Sequence, residues 1–143
     1  MIIAIDYATS MGVAWTFDEK TVYVSSVVGT QFEHLDFVKR IIGRKKAIRL
    51  VVEQLNFFRN AKTVRTLLLK TGFVAFSISK DVEFVPTSAP RKFLGCKGKQ
   101  EVFDLLKPYG IKNNDESDAL ALLLYTINKR ENEVQIEREQ RVY

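Results

Sequence analysis

The sequence predicts an α/β fold: a mixed sheet, antiparallel at its start and parallel later, covered by helices on both faces. Three observations carry this. The chain opens with three β-like segments separated by short turns, and strand-like and helix-like segments alternate after residue 31. Its 143 residues, 46% hydrophobic and 27% charged, suffice for one core but not for two full-sized domains, so a single domain over residues 1–143 is expected. Seven Gly, three Pro and no repeated or Ser- or Gln-rich stretch exclude collagen-like, low-complexity and solenoid architectures.

Residues 2 to 6 are apolar up to Asp6 and read as a buried strand. A turn over Tyr7 to Gly12 leads to a second strand, Val13 to Phe17, in which Trp15 and Phe17 are expected in the core. After Asp18-Glu19-Lys20, the β-branched run Thr21 to Val28 completes a three-stranded meander. From Gln31 towards Arg44, Phe32, Leu35, Val38 and Ile42 recur at helical spacing, and His34 is expected at the surface on the polar side. Ala47 to Val52 is strand-like and ends at Glu53. Ala61 to Thr71 has helical periodicity with Gly72 suited to its carboxyl-terminal cap, so Phe73 to Ile78 reads as a strand, and Val82 to Val85 as another before Pro86. Lys99 to Tyr109 is helical, stopped by Pro108 and Gly110, and a last helix runs from Glu116 towards Arg130. The final stretch, Lys129 to Tyr143, holds four basic and four acidic residues and reads as a solvated helix or frayed tail.

The longest apolar run, Ala119 to Leu124, falls far short of the ~20 residues that cross a bilayer. The start, Met-Ile-Ile-Ala-Ile-Asp, lacks the basic region of a signal peptide, so a cytoplasmic protein is expected. One cysteine, Cys96, cannot form an internal disulfide, and with the single His34 it leaves too few soft ligands for zinc, so any metal must be held mainly by oxygen. Net charge is +5, but residues 37–100 hold fifteen basic against three acidic residues, a net +12, while the rest holds seven against fourteen, a net −7. A basic middle between acidic ends suggests a polyanion partner.

Asp6 and Glu53 each follow an apolar run and would emerge at the carboxyl end of a strand, where open α/β sheets carry their functional crevice. If the two strands are neighbours, these carboxylates converge. Asp115 and Asp118, three apart at the start of the last helix, share a face. Four carboxylates together repel one another unless cations neutralise them, and a hard ion such as Mg²⁺ prefers carboxylate oxygen.

These segments together resemble RuvC-like Holliday junction resolvases of the RNase H-like superfamily. Ile2 to Asp6 with Ser10 and Gly12 looks like that family's first strand and turn. Val51-Val52-Glu53-Gln54 with Phe57, Phe58, Asn60 and a helix reaching Gly72 is similar to its second acidic motif. Ser88, Arg91-Lys92, Gly95, Gly98-Lys99-Gln100 and Val102 resemble its basic motif, and Asp115 to Leu122 its terminal acidic helix. The matches run in family order from residue 2 to about 124. The resemblance implies an RNase H-like sheet and two Mg²⁺ ions, with Mn²⁺ able to substitute, held by Asp6, Glu53, Asp115 and Asp118. It implies a homodimer that makes paired nicks in a four-way DNA junction. Tyr7-Ala8 stands where the family commonly has Pro-Gly, and the short chain fits a viral or phage variant.

Lys99, at the start of a helix in the basic motif, would meet the scissile phosphate, whereas Ser88, Arg91, Lys92 and Lys97 would hold DNA phosphates. Arg59, Lys62 and Arg65 follow the second acidic strand and lie near the expected groove. Six cations between Lys39 and Arg49 equally suit a helix dipole. An exposed Phe57 or Phe58 would stack on an unpaired junction base, worth ~1 to 3 kcal/mol. Two other readings use the same residues: an RNase H-like nuclease on RNA or other branched DNA, and a catalytically silent nucleic-acid-binding domain. A third, from the likeness of Asp6 to Gly12 to the phosphate loop of sugar kinases and actin-like ATPases, fails because those need two large lobes.

Overall fold

A computed structural model describes residues 1–8, 10–54 and 61–139. The expected meander is there: β1 (Ile2–Tyr7), β2 (Met11–Thr16) and β3 (Thr21–Val27) pair antiparallel in sequence. β4 (Arg49–Gln54) then joins β1 in parallel, and β5 (Val82–Pro86) joins β4 in parallel. With β6 (Gln135–Arg138) the sheet order is β5-β4-β1-β2-β3-β6.

Helices cover both faces. α1 (Gln31–Ile42) and α2 (Ala61–Ile78) pack on one side over Ile3, Ile5, Leu50 and Val52. α3 (Ser88–Phe93), α4 (Lys99–Leu106) and α5 (Asn114–Ile127) pack on the other over Ala4, Ala14, Val22, Val24 and Val51. The run from Ala119 to Leu124 that looked apolar all round is buried throughout, because α5 lies across β1 to β4 beneath α3 and α4. No helix among the described residues is long and apolar enough to cross a membrane.

Four expectations are corrected. Phe73 to Ile78 is not a strand, and Gly72 is not a cap: α2 runs unbroken to Ile78. A mid-helix Gly costs only about 1 kcal/mol relative to Ala. That is outweighed here because Val64, Thr71, Val74 and Ala75 keep one buried face at helical spacing across it. His34 is not at the surface but 1% exposed: α1 turns His34, Leu35, Phe37 and Val38 inward, while Phe32 faces out and meets the Phe73 ring edge-on. The buried imidazole is matched by Tyr7, whose Oη lies 2.5 Å from His34 Nδ1; burial lowers the histidine pKa and pushes the Tyr7 phenol up to about 12. Phe17 is not core: it lies past the end of β2, half exposed, with the Lys45 ammonium 5.4 Å from its ring centre. Trp15 is buried as expected.

The fourth correction concerns the carboxyl-terminal stretch, which over its described part is a short 3₁₀ turn (Glu131–Glu133) followed by a strand, not a solvated helix or frayed tail. β6 adds to the edge of β3 in parallel, pairing Val22 with Ile136 and Val24 with Arg138. Alternation puts Ile136 against the α5-side core, and Arg138 follows on that face. Residues 140–143 lie outside the described part.

Candidate metal centre in a cationic cleft

Strand alternation decides which way the acids point. Along β1, Ile3, Ile5 and Tyr7 belong to the α1/α2 core and Ala4 to the α5 core, which turns Asp6 towards α5. Along β4, Leu50 and Val52 face α1/α2 and Val51 faces α5, which turns Glu53 the same way. The two strands are adjacent and parallel, and the last pair in register, Ile5 with Val52, is followed directly by Asp6 and Glu53.

α5 brings the third acid. Gly12 of β2 lets it approach: a Cβ there would stand 2.0 Å from the Asp115 carbonyl oxygen and 3.1 Å from the Glu116 nitrogen. Only a residue without a side chain permits this contact, and it seats the first turn of α5 on the sheet. As a result Asp6, Glu53 and Asp118 each offer a carboxylate oxygen, all within 4.8 Å of one another.

The fourth expected acid stands apart from that group. Asp115 accepts a hydrogen bond from the Ser10 hydroxyl, and its charge still reaches Asp6 and Asp118. Asp6 is raised well above the ordinary carboxylate range, first by burial, then by its hydrogen bond to Glu53 and the negative charges of Glu53, Asp118 and Asp115. Asp118 is raised to about 6 by burial and by Glu53, against the opposing pull of Lys99 and Arg91. Crowded carboxylates, of which Asp6 and Asp118 resist losing their protons, with oxygen as the only donor type in the cluster, fit a hard divalent cation.

These acids open into a cleft of about 660 Å³ that cationic side chains also line. Ser88, Arg91 and Lys92 of α3, Lys97 and Lys99 line it together with Asp6, Glu53 and Asp118. Lys99 Nζ lies 3.7 Å from Asp118 Oδ2, and Arg91 Nε is buried with no hydrogen-bond partner among the described residues. From α2 the cleft takes Val64 and Leu67, whereas Lys62 and Arg65 sit exposed on the same helix. Phe57, Phe58 and Arg59 lie outside the described residues.

Sequence reasoning passed over Glu116. It is fully buried and accepts hydrogen bonds from Arg138, from Ser26 Oγ at 2.5 Å and from the Lys112 N–H at 3.1 Å. Burial raises its pKa and those donors together lower it by more, so the net position is below the ordinary value. The signal available was Asn113 three residues ahead of Glu116, the spacing of a helix-capping pair, and Asn113 Oδ1 does cap the Glu116 N–H at 2.9 Å.

No family profile matches the sequence, and no curated protein matches it. Solved structures do overlay it. Thermus thermophilus RuvC in complex with Holliday junction substrate is 16% identical with a TM-score of 0.61, covering 87% of this chain and 92% of that one. A second structure of T. thermophilus RuvC is 18% identical with a TM-score of 0.57, covering 94% and 98%. Fowlpox virus resolvase, with its substrate Holliday junction DNA, is 13% identical with a TM-score of 0.47, covering 90% and 99%. From the first two, this chain has the RuvC fold, a mixed six-stranded sheet between two helical layers.

Proposed function

We propose that this chain, with its RuvC fold, is a metal-dependent endonuclease that makes paired nicks in four-way DNA junctions. The observation that carries the reading is the cluster of Asp6, Glu53 and Asp118 opening into a cleft walled by Arg91, Lys92, Lys97 and Lys99. A carboxylate trio alone suits many metal enzymes, but one facing fixed cations suits a substrate that is itself a polyanion. The RuvC it overlays is bound to Holliday junction substrate, which makes a four-way junction the first DNA to test.

Asp6, Glu53 and Asp118 would hold divalent cations, with Asp115 beside them on the same helix as Asp118. Two Mg²⁺ ions, or Mn²⁺ in their place, would supply a Lewis acid for the phosphodiester and lower the pKa of an attacking water. The chain's own part is orientation and charge. Lys99 brings a cation to the rim of the acid cluster, where a phosphoryl oxygen gains negative charge. Arg91, Lys92, Lys97 and Ser88 would grip flanking phosphates, and Arg91 Nε, without a partner among the described residues, has a donor to give. Lys62 and Arg65 would extend the track along α2, and Phe57 or Phe58 would stack on an unpaired base at the junction centre.

Paired nicks need two sites, and we take the active species to be a homodimer. Supporting this, α2 carries a second apolar stripe on its outer face, with Leu69 70%, Phe73 38% and Phe76 57% exposed. The stripe is continued by Phe32, edge-on to Phe73, and by Phe84, 6.3 Å from Phe76 between ring centres. Aromatic residues in such a contiguous patch mark an association surface.

The test is cleavage of an immobile four-way junction beside linear duplex and an RNA–DNA hybrid, with Mg²⁺ or chelator, repeated for Asp6→Asn, Glu53→Gln and Asp118→Asn. Symmetric metal-dependent nicks confined to the junction and lost in all three variants, with junction binding kept, uphold the reading. Hybrid cleavage with an untouched junction reassigns the cluster to an RNase H-like nuclease, and tight binding without cleavage makes the chain a silent binding module.

A further inference from the structure

The acid cluster depends on where the first turn of α5 sits, because that turn carries Asp118 to acids fixed on two strands. Gly12 makes room for the turn, but a close approach alone does not hold it in place. What holds it is a buried polar network on the side of α5 facing β3 and β6. Glu116 N donates to Asn113 Oδ1 at 2.9 Å, Asn113 Nδ2 donates to Ser26 Oγ at 3.1 Å, and Ser26 Oγ donates back to Glu116 Oε2 at 2.5 Å. This closes a ring of three hydrogen bonds between α5 and β3.

The other carboxylate oxygen of Glu116 accepts from the Lys112 N–H at 3.1 Å and from the Arg138 guanidinium. Glu116 is fully buried, and the Arg138 side chain is 17% exposed. A carboxylate without solvent must keep its partners, so every atom of this ring has one low-energy arrangement. The ring also spans distant sequence: Ser26 ends the meander, Asn113 and Glu116 start α5, and Arg138 lies on the last strand.

We propose that Glu116 is a positioning residue for the metal centre, and that β6 serves the site by presenting Arg138 to it. Arg138 fixes Glu116, Glu116 with Ser26 and Asn113 fixes the first turn of α5, and that turn fixes Asp118 against Asp6 and Glu53. The carboxyl-terminal strand is therefore part of the site although no residue of it lines the cleft. This rests on the cluster being a metal centre, as proposed above. Groups that orient ligands from behind typically account for ~10- to 100-fold in metal affinity or activity.

The experiment measures Mn²⁺ binding by calorimetry on the full chain, beside thermal melting and the junction-nicking kcat and KM. Glu116→Gln/Arg138→Met removes both buried charges together, so neither is left unpaired, and Arg138→Lys keeps the charge but loses the planar guanidinium. Ser26→Ala removes one donor to Glu116 and no charge. The double variant is expected to melt cooperatively yet bind Mn²⁺ at least ~10-fold more weakly. Its nicking loss should fall on kcat with KM for the junction unchanged, Ser26→Ala should weaken Mn²⁺ binding several-fold, and Arg138→Lys should recover most of the affinity. A folded double variant with wild-type Mn²⁺ affinity and kcat would overturn the proposal. If the double variant does not fold, wild-type Mn²⁺ affinity in Ser26→Ala overturns it instead. The premise fails separately: wild-type protein that binds no Mn²⁺ refutes the metal centre itself. Protein that binds Mn²⁺, weakly in the double variant, but leaves junctions intact upholds the positioning and refutes only the nuclease reading.

Discussion

Gly12→Ala tests the placement of α5 most directly. The added methyl would stand 2.0 Å from the Asp115 carbonyl oxygen and 2.4 Å from its carbon, against a closest tolerated approach near 3.0 Å, so α5 and β2 must part by at least ~1 Å. Both contacts are backbone, so no side chain can rotate away. Overpacking of this kind costs ~1 to 3 kcal/mol, a fall in melting temperature of roughly 4 to 12 °C for a chain of this size. The same ~1 Å carries Asp118 away from acids held on β1 and β4, and a misplacement of that size can cost ~100-fold in rate. Gly72→Ala is the control. Gly72 lies inside α2 with the nearest atom, on the Phe76 ring, at 3.8 Å, so an added methyl should stabilise by ~0.5 to 1 kcal/mol. Differential scanning calorimetry and single-turnover nicking of a labelled junction read both quantities. A Gly12→Ala protein that melts with wild type and nicks at its rate would refute the close approach and the account of Asp118 built on it.

Mg²⁺ or Mn²⁺ should raise the melting temperature of the wild-type chain in a concentration-dependent manner, by mass action on the folded state, and should not raise that of Asp118→Asn; equal shifts in both would move the metal elsewhere. Glu116, held below the ordinary 4.5 in the folded chain, contributes stability that is fully present above that pH and is lost as pH falls through its folded pKa. Acid unfolding of Glu116→Gln, followed by circular dichroism, should therefore be shallower below about pH 4.5, and an unchanged acid limb would refute the assignment. Phe73→Glu/Phe76→Glu should sediment at half the wild-type mass while keeping a cooperative melt, since both rings face outward; a monomeric wild type refutes the dimer surface. Raising salt should weaken junction binding steeply, and Arg91→Ala should reduce that slope by about one.

Much of the fold was legible because local pattern and tertiary role agree. The meander, the apolar strand before each of Asp6 and Glu53, and the acidic start of the last helix are short-range signals, and each survives in the structure. The errors fall where local pattern is ambiguous. Phe73 to Ile78 is rich in aromatic and β-branched residues and follows a Gly, which reads as cap and strand; only the sheet beneath, filling one face of α2 across Gly72, makes it helix. His34 looks polar until a tyrosine hydroxyl from β1 meets it in the core. Arg138 and Glu116 are 22 residues apart, and neither carries a local sign of the other.

By itself the sequence determined the kinds of chemistry open to this protein: oxygen ligands in place of soft ones, a basic middle segment for a polyanion, and acids at the ends of two strands and the start of a helix. Those are properties of residue type and of spacings within one turn or one strand, which a linear chain states outright. What only the tertiary structure decided is which acids meet. Strand parity and the parallel pairing of β1 with β4 turn Asp6 and Glu53 to the same face. The close approach at Gly12 then brings Asp118 to them, while Ser10 takes up Asp115. Each of those outcomes is a distance between residues far apart in sequence, and such distances exist only once the sheet has paired and α5 has packed across it.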